Sequence, residues 1–305
     1  MKTYIDCIPC FYRQIIDTAR IAGADDKLIK KIIDKSGVFI KQNGLNFSPP
    51  EIIGEIYQII KNKTGDNDPY NIIKDQSNKS AMAVYDFCKS KIELSSDRLL
   101  SAVEMAIAGN IIDFGIKGSI DIEKEILNIL KEESKLIKNH RTDYFAYEEF
   151  NNKVTGSSRI IYLGDNAGEI VFDKMLIEEI LRVNPAVNIV YMVREIPIIN
   201  DVLMSDAKFC GLDTLTDIVS SGSRVPGTVY KKCPKSVKKL FKKSDFIISK
   251  GQGNFESFVY EQKDVFYLFM AKCSIVAKEV GCNVGNINLY YKKKGVKNED
   301  SNTYK

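Results

Sequence analysis

The hydrophobic period of this chain changes once, between residues 152 and 159, and that change narrows the fold more than any single motif. Beyond it, residues 159–163, 188–193, 216–219, 245–249, 265–270 and 286–291 are short runs rich in Ile, Val, Tyr and Phe. Apolar residues at helical spacing mark 169–183, 201–210, 226–243 and 274–281 between them. Strands that alternate with helices build βαβ units, so an α/β region with a mostly parallel, Rossmann-like sheet is expected. Before residue 155 no alternating segment of any length occurs. Helices are expected there over 7–22, 26–37, 48–63, 70–91, 96–110 and 121–139. The start at Ser48-Pro49-Pro50-Glu51 is the most explicit: proline sits in the first turn, and Ser48 and Glu51 stand at capping-box spacing. The expected organisation is a helical domain over 1–152, an α/β domain over 153–291 and a disordered, charged tail over 292–305.

The chain has 305 residues, enough for about two domains. Its 44 basic and 40 acidic residues leave a net charge of +4, too balanced to point to nucleic acid or a membrane surface as partner. The first ten residues include Asp6 and lack an apolar core, so they are no secretory signal. No apolar run approaches the roughly 20 residues that cross a bilayer. A cytoplasmic protein is expected. Seven scattered cysteines, an odd number, fit reduced thiols better than a disulfide framework. The single histidine, His140, lies in the charged run Lys138-Asn139-His140-Arg141, where solvent exposure is expected. Catalysis, if present, must lean on carboxylates, lysine and metal. The sequence sets no oligomeric state.

The stretch from Arg159 to Asp173 reads as strand, polar turn and helix. In open α/β sheets ligands sit at the carboxyl ends of strands, facing helix N-termini. The turn Gly164-Asp165-Asn166-Ala167-Gly168-Glu169 offers carboxylate and carboxamide oxygens suited to a hard divalent cation. Helix capping by Asp165 or Asn166 is the plainer alternative. The second strand leads to Asn200-Asp201 at the same edge, where a cap is again the alternative. The fourth ends in Ser249-Lys250-Gly251-Gln252-Gly253-Asn254, whose glycines let backbone approach an anion and whose lysine suits phosphate. The third is followed by the small-residue loop Ser221-Gly222-Ser223-Arg224-Val225-Pro226-Gly227-Thr228. Four successive strand ends with polar turns exceed what capping needs, and a shared site is expected. A cation on Asp165, Asn166 and Asp201, with Lys250 beside it, suggests phosphate-ester hydrolysis by activated water. An aspartyl-phosphate route through Asp165 ranks lower, because no acidic residue stands two positions on. In the helical half, Asn110 and Asp113 are three apart in Gly109-Asn110-Ile111-Ile112-Asp113-Phe114-Gly115, and Cys7-Ile8-Pro9-Cys10 is half of a four-ligand metal site.

Together these segments resemble the metal-dependent damage-control phosphatases, the former domain of unknown function 89 group, in its archaeal and bacterial branch with an N-terminal cysteine pair. The matching pieces are Cys7-Ile8-Pro9-Cys10 with Arg13-Gln14, Asp68-Pro69-Tyr70 with Lys74, and the stretch from Gly109 to Gly115. Further on they are Gly164 to Glu169, Asn200-Asp201, Pro226-Gly227-Thr228, Lys250 to Glu256, and Lys272-Cys273. They keep the family's order over nearly the whole chain. Ser274 departs from the proline expected after the family's cysteine.

The resemblance implies a helical region on an α/β domain, with the active site between them. It implies metal ligation by Asp165, Asn166 and Asp201, with Asp165, Asn166 and Lys250 catalytic. Asn110, Asp113, Glu169, Gly251, Gly253 and Asn254 would line the substrate site, and Cys273 would join Cys7 and Cys10 as a candidate second metal site. The cofactor would be Mg²⁺, Mn²⁺, Co²⁺ or Ni²⁺, and the substrate a small phosphorylated metabolite: a sugar phosphate, a nucleotide or a damaged cofactor precursor. Two other readings stand beside it: an S-adenosylmethionine-dependent methyltransferase, which lacks its Gly-x-Gly after the first strand, and a non-enzymatic metal- or nucleotide-binding module.

Overall fold

The computed structural model describes residues 1–110, 124, 128 and 144–295. Asp113, His140, most of the helix expected over 121–139 and the chain from 296 onward lie outside the described residues. The first helices are α1 (Ile8–Ile21), α2 (Asp26–Asn43), α3 (Pro49–Thr64), α4 (Asn71–Ala83), α5 (Tyr85–Glu93) and α6 (Arg98–Gly109). Their ends follow local chemistry. Asp25 accepts the Leu28 amide at 2.7 Å to open α2. At the start of α3 the Glu51 carboxylate reaches back to the Ser48 amide, 3.1 Å away, and Gly65 closes that helix at φ 78°. The single helix expected over 70–91 is two. Val84, a β-branched and weak helix former, is buried at φ −102°, ψ 3° and turns the chain, so that Ala81 before it and Cys88 after it reach one core.

The second half runs α7 (Tyr147–Gly156), β1 (Arg159–Leu163), α8 (Glu169–Val183), β2 (Asn188–Val193), α9 (Met204–Phe209), β3 (Asp217–Ser220), α10 (Lys235–Lys243), β4 (Phe246–Lys250), α11 (Gln252–Phe258), β5 (Val265–Met270), α12 (Ser274–Val280) and β6 (Ile287–Lys292). The sheet order is β3-β2-β1-β4-β5-β6, parallel except for β6, which runs antiparallel to β5. A helical N-terminal region followed by a mostly parallel α/β sheet is thus the observed class. The helix expected over 226–243 begins only after Pro234. Gly227, at φ 94°, lies so close to the Gly253 carbonyl that an added Cβ would stand 2.5 Å from its oxygen.

The three largest apolar clusters among the described residues hold these layers. Phe11, Ile15, Ile32, Ile52 and Ile56 close a small bundle of α1–α3. On one face of the sheet, Ala81, Cys88, Val103 and Ile107 join Tyr162, Phe172 and Met175. On the other, Ile161, Leu163 and Ile247 pack against Phe241, Phe255 and Phe258. β1 is the pivot: Leu163 pairs with Met192 of β2 on one side and with Ser249 of β4 on the other. Successive connections therefore leave β1 and β4 in opposite directions and open a crevice at their carboxyl ends, where sheets of this kind bind ligands.

Candidate active site

The turn after β1 is pinned by a short ladder. The Val202 amide donates to the Asp165 carbonyl at 2.8 Å, the Ala167 amide to the Asn200 carbonyl at 3.0 Å, and Asn166 bridges Asp201 antiparallel. That pairing holds Asp201 extended and delays α9 to Met204, three residues beyond the expected start. It also disposes of capping. The residue before α8 is Gly168, at φ 79°, and its amide is taken by Asn78 at 2.7 Å. Neither Asp165 nor Asn166 caps α8, and Asp206, not Asp201, takes the first free amide of α9, at Leu203 (2.8 Å).

The turn after β4 closes on the same spot. Gly251, at φ 76°, leaves so little room that an added Cβ would lie 1.8 Å from Asp165 Oδ2. Asn254, fully buried, ties the two turns together: its Nδ2 donates to the Gly164 carbonyl at 3.0 Å and the Lys250 carbonyl at 2.8 Å. Gly253 packs beside Pro226 and Gly227 of the loop after β3. From the helical half, Asn110 at the end of α6 donates Nδ2 to Glu169 at 2.8 Å and to Asp165 at 3.2 Å.

Beneath this surface lies a dense charge network. Asp165, Glu169, Asp173 and Asp201 are all buried. Lys250 is fully buried as well: Nζ donates to Asp173 Oδ1 at 2.5 Å and to the Ala106 carbonyl at 2.9 Å, and stands 2.6 Å from Glu169 Oε1. Tyr162 and Tyr191 donate their hydroxyls to Asp173 at 2.8 and 2.7 Å. Arg194 donates Nε to Asp201 at 2.5 Å and Nη1 to Thr228 at 3.3 Å, while its Nη2 stands 3.8 Å from Asp165 Oδ1 without a hydrogen-bond partner. The structure thus sets Lys250 behind the carboxylates, as their counter-ion.

Four buried acidic side chains thus share two buried cations, Lys250 and Arg194, with Lys272 acting on Asp165 as well, so acidic groups are in excess here. Burial, then the nearby Glu169 and Asp201 charges, drive the Asp165 carboxyl well above the usual range. Burial raises Asp201 and Asp173 too, against the pull of Arg194 on one and Lys250 on the other. Asn110 Oδ1 and Asn254 Oδ1 are buried oxygens without a donor. A divalent cation would supply the missing charge, and carboxylate and carboxamide oxygens are the donors such an ion prefers. Among the described residues, no three His, Cys, Asp or Glu side chains form a cluster that would complete a metal site by themselves. The set Asp165, Asn166 and Asp201 is two carboxylates and an amide, so it leaves positions for substrate or water.

The cysteines stand near the same edge. Cys7 is half-buried and Cys10 exposed at the start of α1, and Cys273 precedes α12; all three are free thiols. Cys273 Sγ accepts from Gln252 at 3.7 Å. Burial pushes the Cys7 thiol up, and the charges of Glu256, Cys273 and Cys10 add to it. Sequence reasoning missed Arg194, Asp173, Tyr162 and Tyr191. For Asp173 there was a signal: with Glu169 it places two acids one turn apart among the apolar residues of α8. For Arg194 the only cue was its place one residue beyond β2.

The sequence profile of the damage-control phosphatase ARMT1-like domain matches residues 3–287 of the chain. The chain is 33% identical over 289 residues to the damage-control phosphatase PH1575 of Pyrococcus horikoshii, covering 92% of this chain and 94% of that protein. It is 30% identical over 295 residues to a damage-control phosphatase of Archaeoglobus fulgidus (94% and 98% covered), and 34% identical over 294 residues to an uncharacterized protein of Methanocaldococcus jannaschii (94% of each). The crystal structure of the Pyrococcus protein, described as a DUF89 family protein, superposes with a TM-score of 0.86 at 30% identity, over 96% of this chain and all of that one.

Proposed function

We propose a specific reaction for this chain, which belongs to the damage-control phosphatase ARMT1-like family and is a phosphatase: hydrolysis of phosphate monoesters of small metabolites at the β1–β4 crevice, assisted by a divalent cation. The observation that carries the reading is the charge imbalance around Asp165, Asn166 and Asp201, three oxygen-bearing side chains that the β1 turn gathers from two strand ends. Those three residues would hold Mg²⁺, Mn²⁺, Co²⁺ or Ni²⁺. When bound, such an ion supplies Lewis acidity, polarising phosphoryl oxygens and lowering the pKa of water.

The chain's own groups divide the remaining work. The unpartnered Nη2 of Arg194 donates to a phosphoryl oxygen and offsets charge that builds there in the transition state. Lys250 holds Glu169 and Asp173 in place. Glu169 in turn holds the Asn110 and Asn166 amides (2.8 and 3.3 Å), which turns their carboxamide oxygens toward the site. Gly251 makes room for the Asp165 carboxylate, Gly253 leaves space for the phosphoryl group, and Asn254 locks the two turns that flank it. Water attacks phosphorus, the ester oxygen leaves as the alcohol, and phosphate is released. The relatives named damage-control phosphatases favour this over methyl transfer or metal sensing. Among the described residues no helix is long and apolar enough to cross a membrane, in keeping with a small-molecule substrate met in the cytoplasm.

The test is phosphate release from p-nitrophenyl phosphate by metal-stripped protein, with Mg²⁺, Mn²⁺, Co²⁺ and Ni²⁺ restored singly and Asp165→Ala run alongside. Turnover restored by metal and lost in the variant is expected. A folded protein inert with every metal refutes the reading.

A further inference from the structure

A buried carboxamide from the helical half joins the two segments that carry the candidate metal ligands. Asn78 of α4 is 2% exposed, and both ends of its amide are engaged outside its own helix. Oδ1 accepts the Gly168 amide at 2.7 Å, and Nδ2 donates to Asp206 Oδ1 at 2.8 Å. The other oxygen of the buried Asp206 accepts the Leu203 amide at 2.8 Å. Gly168 stands three residues after Asp165, and Leu203 two after Asp201. A relay of hydrogen bonds thus links the turn after β1 to the start of α9, in addition to the Val202–Asp165 and Ala167–Asn200 backbone pairs between the same segments. The amide of Asn78 fits one way round only, because a backbone N–H donates and a carboxylate accepts. The choice of acceptor for Gly168 has a consequence for the site. Asp and Asn side chains readily accept the amide two residues on, and the residue two before Gly168 is Asn166. Asn166 does not take it. Its Nδ2 donates instead to Asp165 Oδ2 at 2.8 Å and to Glu169 Oε2 at 3.3 Å, and Asp165 also accepts from Asn110.

We infer that Asn78 is a positioning residue for the cation: by taking the Gly168 amide and holding Asp206, it keeps Asp165, Asn166 and Asp201 available as ligands and thereby strengthens metal binding. The inference rests on the cation-assisted reading above. Without the Asn78 oxygen, the buried Gly168 N–H loses its acceptor. An unmet buried donor is costly, so an Asn166 or Asp165 oxygen is drawn back onto the turn to meet it, and the site loses a ligand. Without Nδ2, Asp206 is released, and with it the end of the segment that carries Asp201. Groups that orient metal ligands from behind are worth about 10–100-fold in affinity. Asn78 would act from the helical half, through backbone it does not belong to, so the helical region and the sheet edge share the work of building one cation site.

The experiment titrates Mn²⁺ into metal-stripped protein, counts the free ion by electron paramagnetic resonance, and records metal-free melting curves beside it. Asn78→Asp keeps size and acceptor but sets a carboxylate against Asp206. Adding Asp206→Asn exchanges donor and acceptor between the two positions, restores every hydrogen bond of the relay and returns the pair to its wild-type charge. The single variant should bind Mn²⁺ at least about tenfold more weakly, and the double variant should recover wild-type affinity. With p-nitrophenyl phosphate, the Mn²⁺ concentration for half-maximal turnover should rise by the same factor in the single variant, while kcat at saturating Mn²⁺ stays unchanged. Unchanged or tighter Mn²⁺ binding by Asn78→Asp, as added negative charge alone would give, overturns the inference. So does a double variant as weak as the single one, or a lower metal-free Tm with Mn²⁺ affinity unmoved, which would mark Asn78 as structural only. Asn78→Ala removes the relay without adding charge, carries the same expectation, and decides the matter if Asn78→Asp fails to fold. Wild-type binding that the variants leave untouched sinks this inference alone, whereas wild-type protein that binds no Mn²⁺ sinks the cation-assisted reading and this inference with it.

Discussion

Replacing Lys250 by Met separates a buried counter-ion from a phosphate-binding lysine. Lys250 is fully buried; its ammonium donates to Asp173 and the Ala106 carbonyl and pairs with Glu169 Oε1 2.6 Å away. Methionine nearly matches the volume but removes the charge, leaving two carboxylates in the interior. Breaking a buried pair by deleting one partner costs about 3–5 kcal/mol. Asp173 keeps the hydroxyls of Tyr162 and Tyr191, and Glu169 keeps the Asn110 amide, which argues for the lower end. At roughly 2–4 °C per kcal/mol for a chain of this size, Tm should fall by on the order of 10 °C. The added substitution Asp173→Asn removes one of the stranded charges and should recover part of the loss. The sign of the pH effect follows as well. Without Lys250, burial lifts the Asp173 carboxyl further above its unfolded value, so the folded state binds more protons, and the deficit should grow as pH rises from 5 to 8. Thermal melts of wild type, single and double variants in metal-free buffer at four pH values measure all of this. A Lys250→Met protein that melts within about 2 °C of wild type, with only KM for a phosphate ester changed, would refute the counter-ion role and return Lys250 to the phosphate.

Asp165→Ala should lose at least about 100-fold in metal-restored turnover, the scale at which even groups behind a ligand matter. Its metal-free Tm should equal or exceed wild type, since one of several crowded carboxylates is gone; a drop of several degrees would contradict the electrostatics. Mn²⁺ or Mg²⁺ added to stripped wild-type protein should raise Tm with concentration and leave Asp165→Ala unmoved, a check independent of turnover. Gly251→Ala combines a strained φ of 76° with a Cβ at 1.8 Å from Asp165 Oδ2, so a loss of about 1–3 kcal/mol and of activity is expected; wild-type melting and turnover would show the turn to be pliable. Glu256, pushed by burial from 4.5 to about 7, carries a proton when folded that it lacks when unfolded. Stability should therefore fall as pH rises from about 4.5 to 7 and level off above, and Glu256→Gln should flatten that slope, as melts across the range would reveal.

Much of this architecture was legible because its cause is local. The apolar runs that became β1, β2 and β5, and the helical spacing of α8, are read within windows of a few residues, and their bounds agree with the structure. Parallel alternation then puts Asp165, Asn166, Asp201 and Lys250 at one sheet edge without knowledge of strand order, because every crossover returns the chain in the same direction. Three local readings went astray for one reason. Val84 splits a helix to serve a shared core, the Asn166–Asp201 bridge shortens α9, and Gly227 against Gly253 keeps the loop after β3 irregular. Each is a contact between segments distant in the chain, and a distant contact outweighs a propensity of a few tenths of a kcal/mol.

The same division separates residue type from residue role. The amino-acid order alone determined the two-part layout, the sheet edge and the kinds of oxygen and nitrogen gathered there. Only the tertiary structure decided which group answers which: that Lys250 turns inward to Asp173 and Glu169, that Arg194 reaches Asp201 and leaves Nη2 free, and that Asn78 of α4 takes the Gly168 amide. Burial is the physical reason. A side chain's charge, protonation and partners depend on what surrounds it within a few ångströms, and for Lys250 those neighbours come from as far as 144 residues away in the chain.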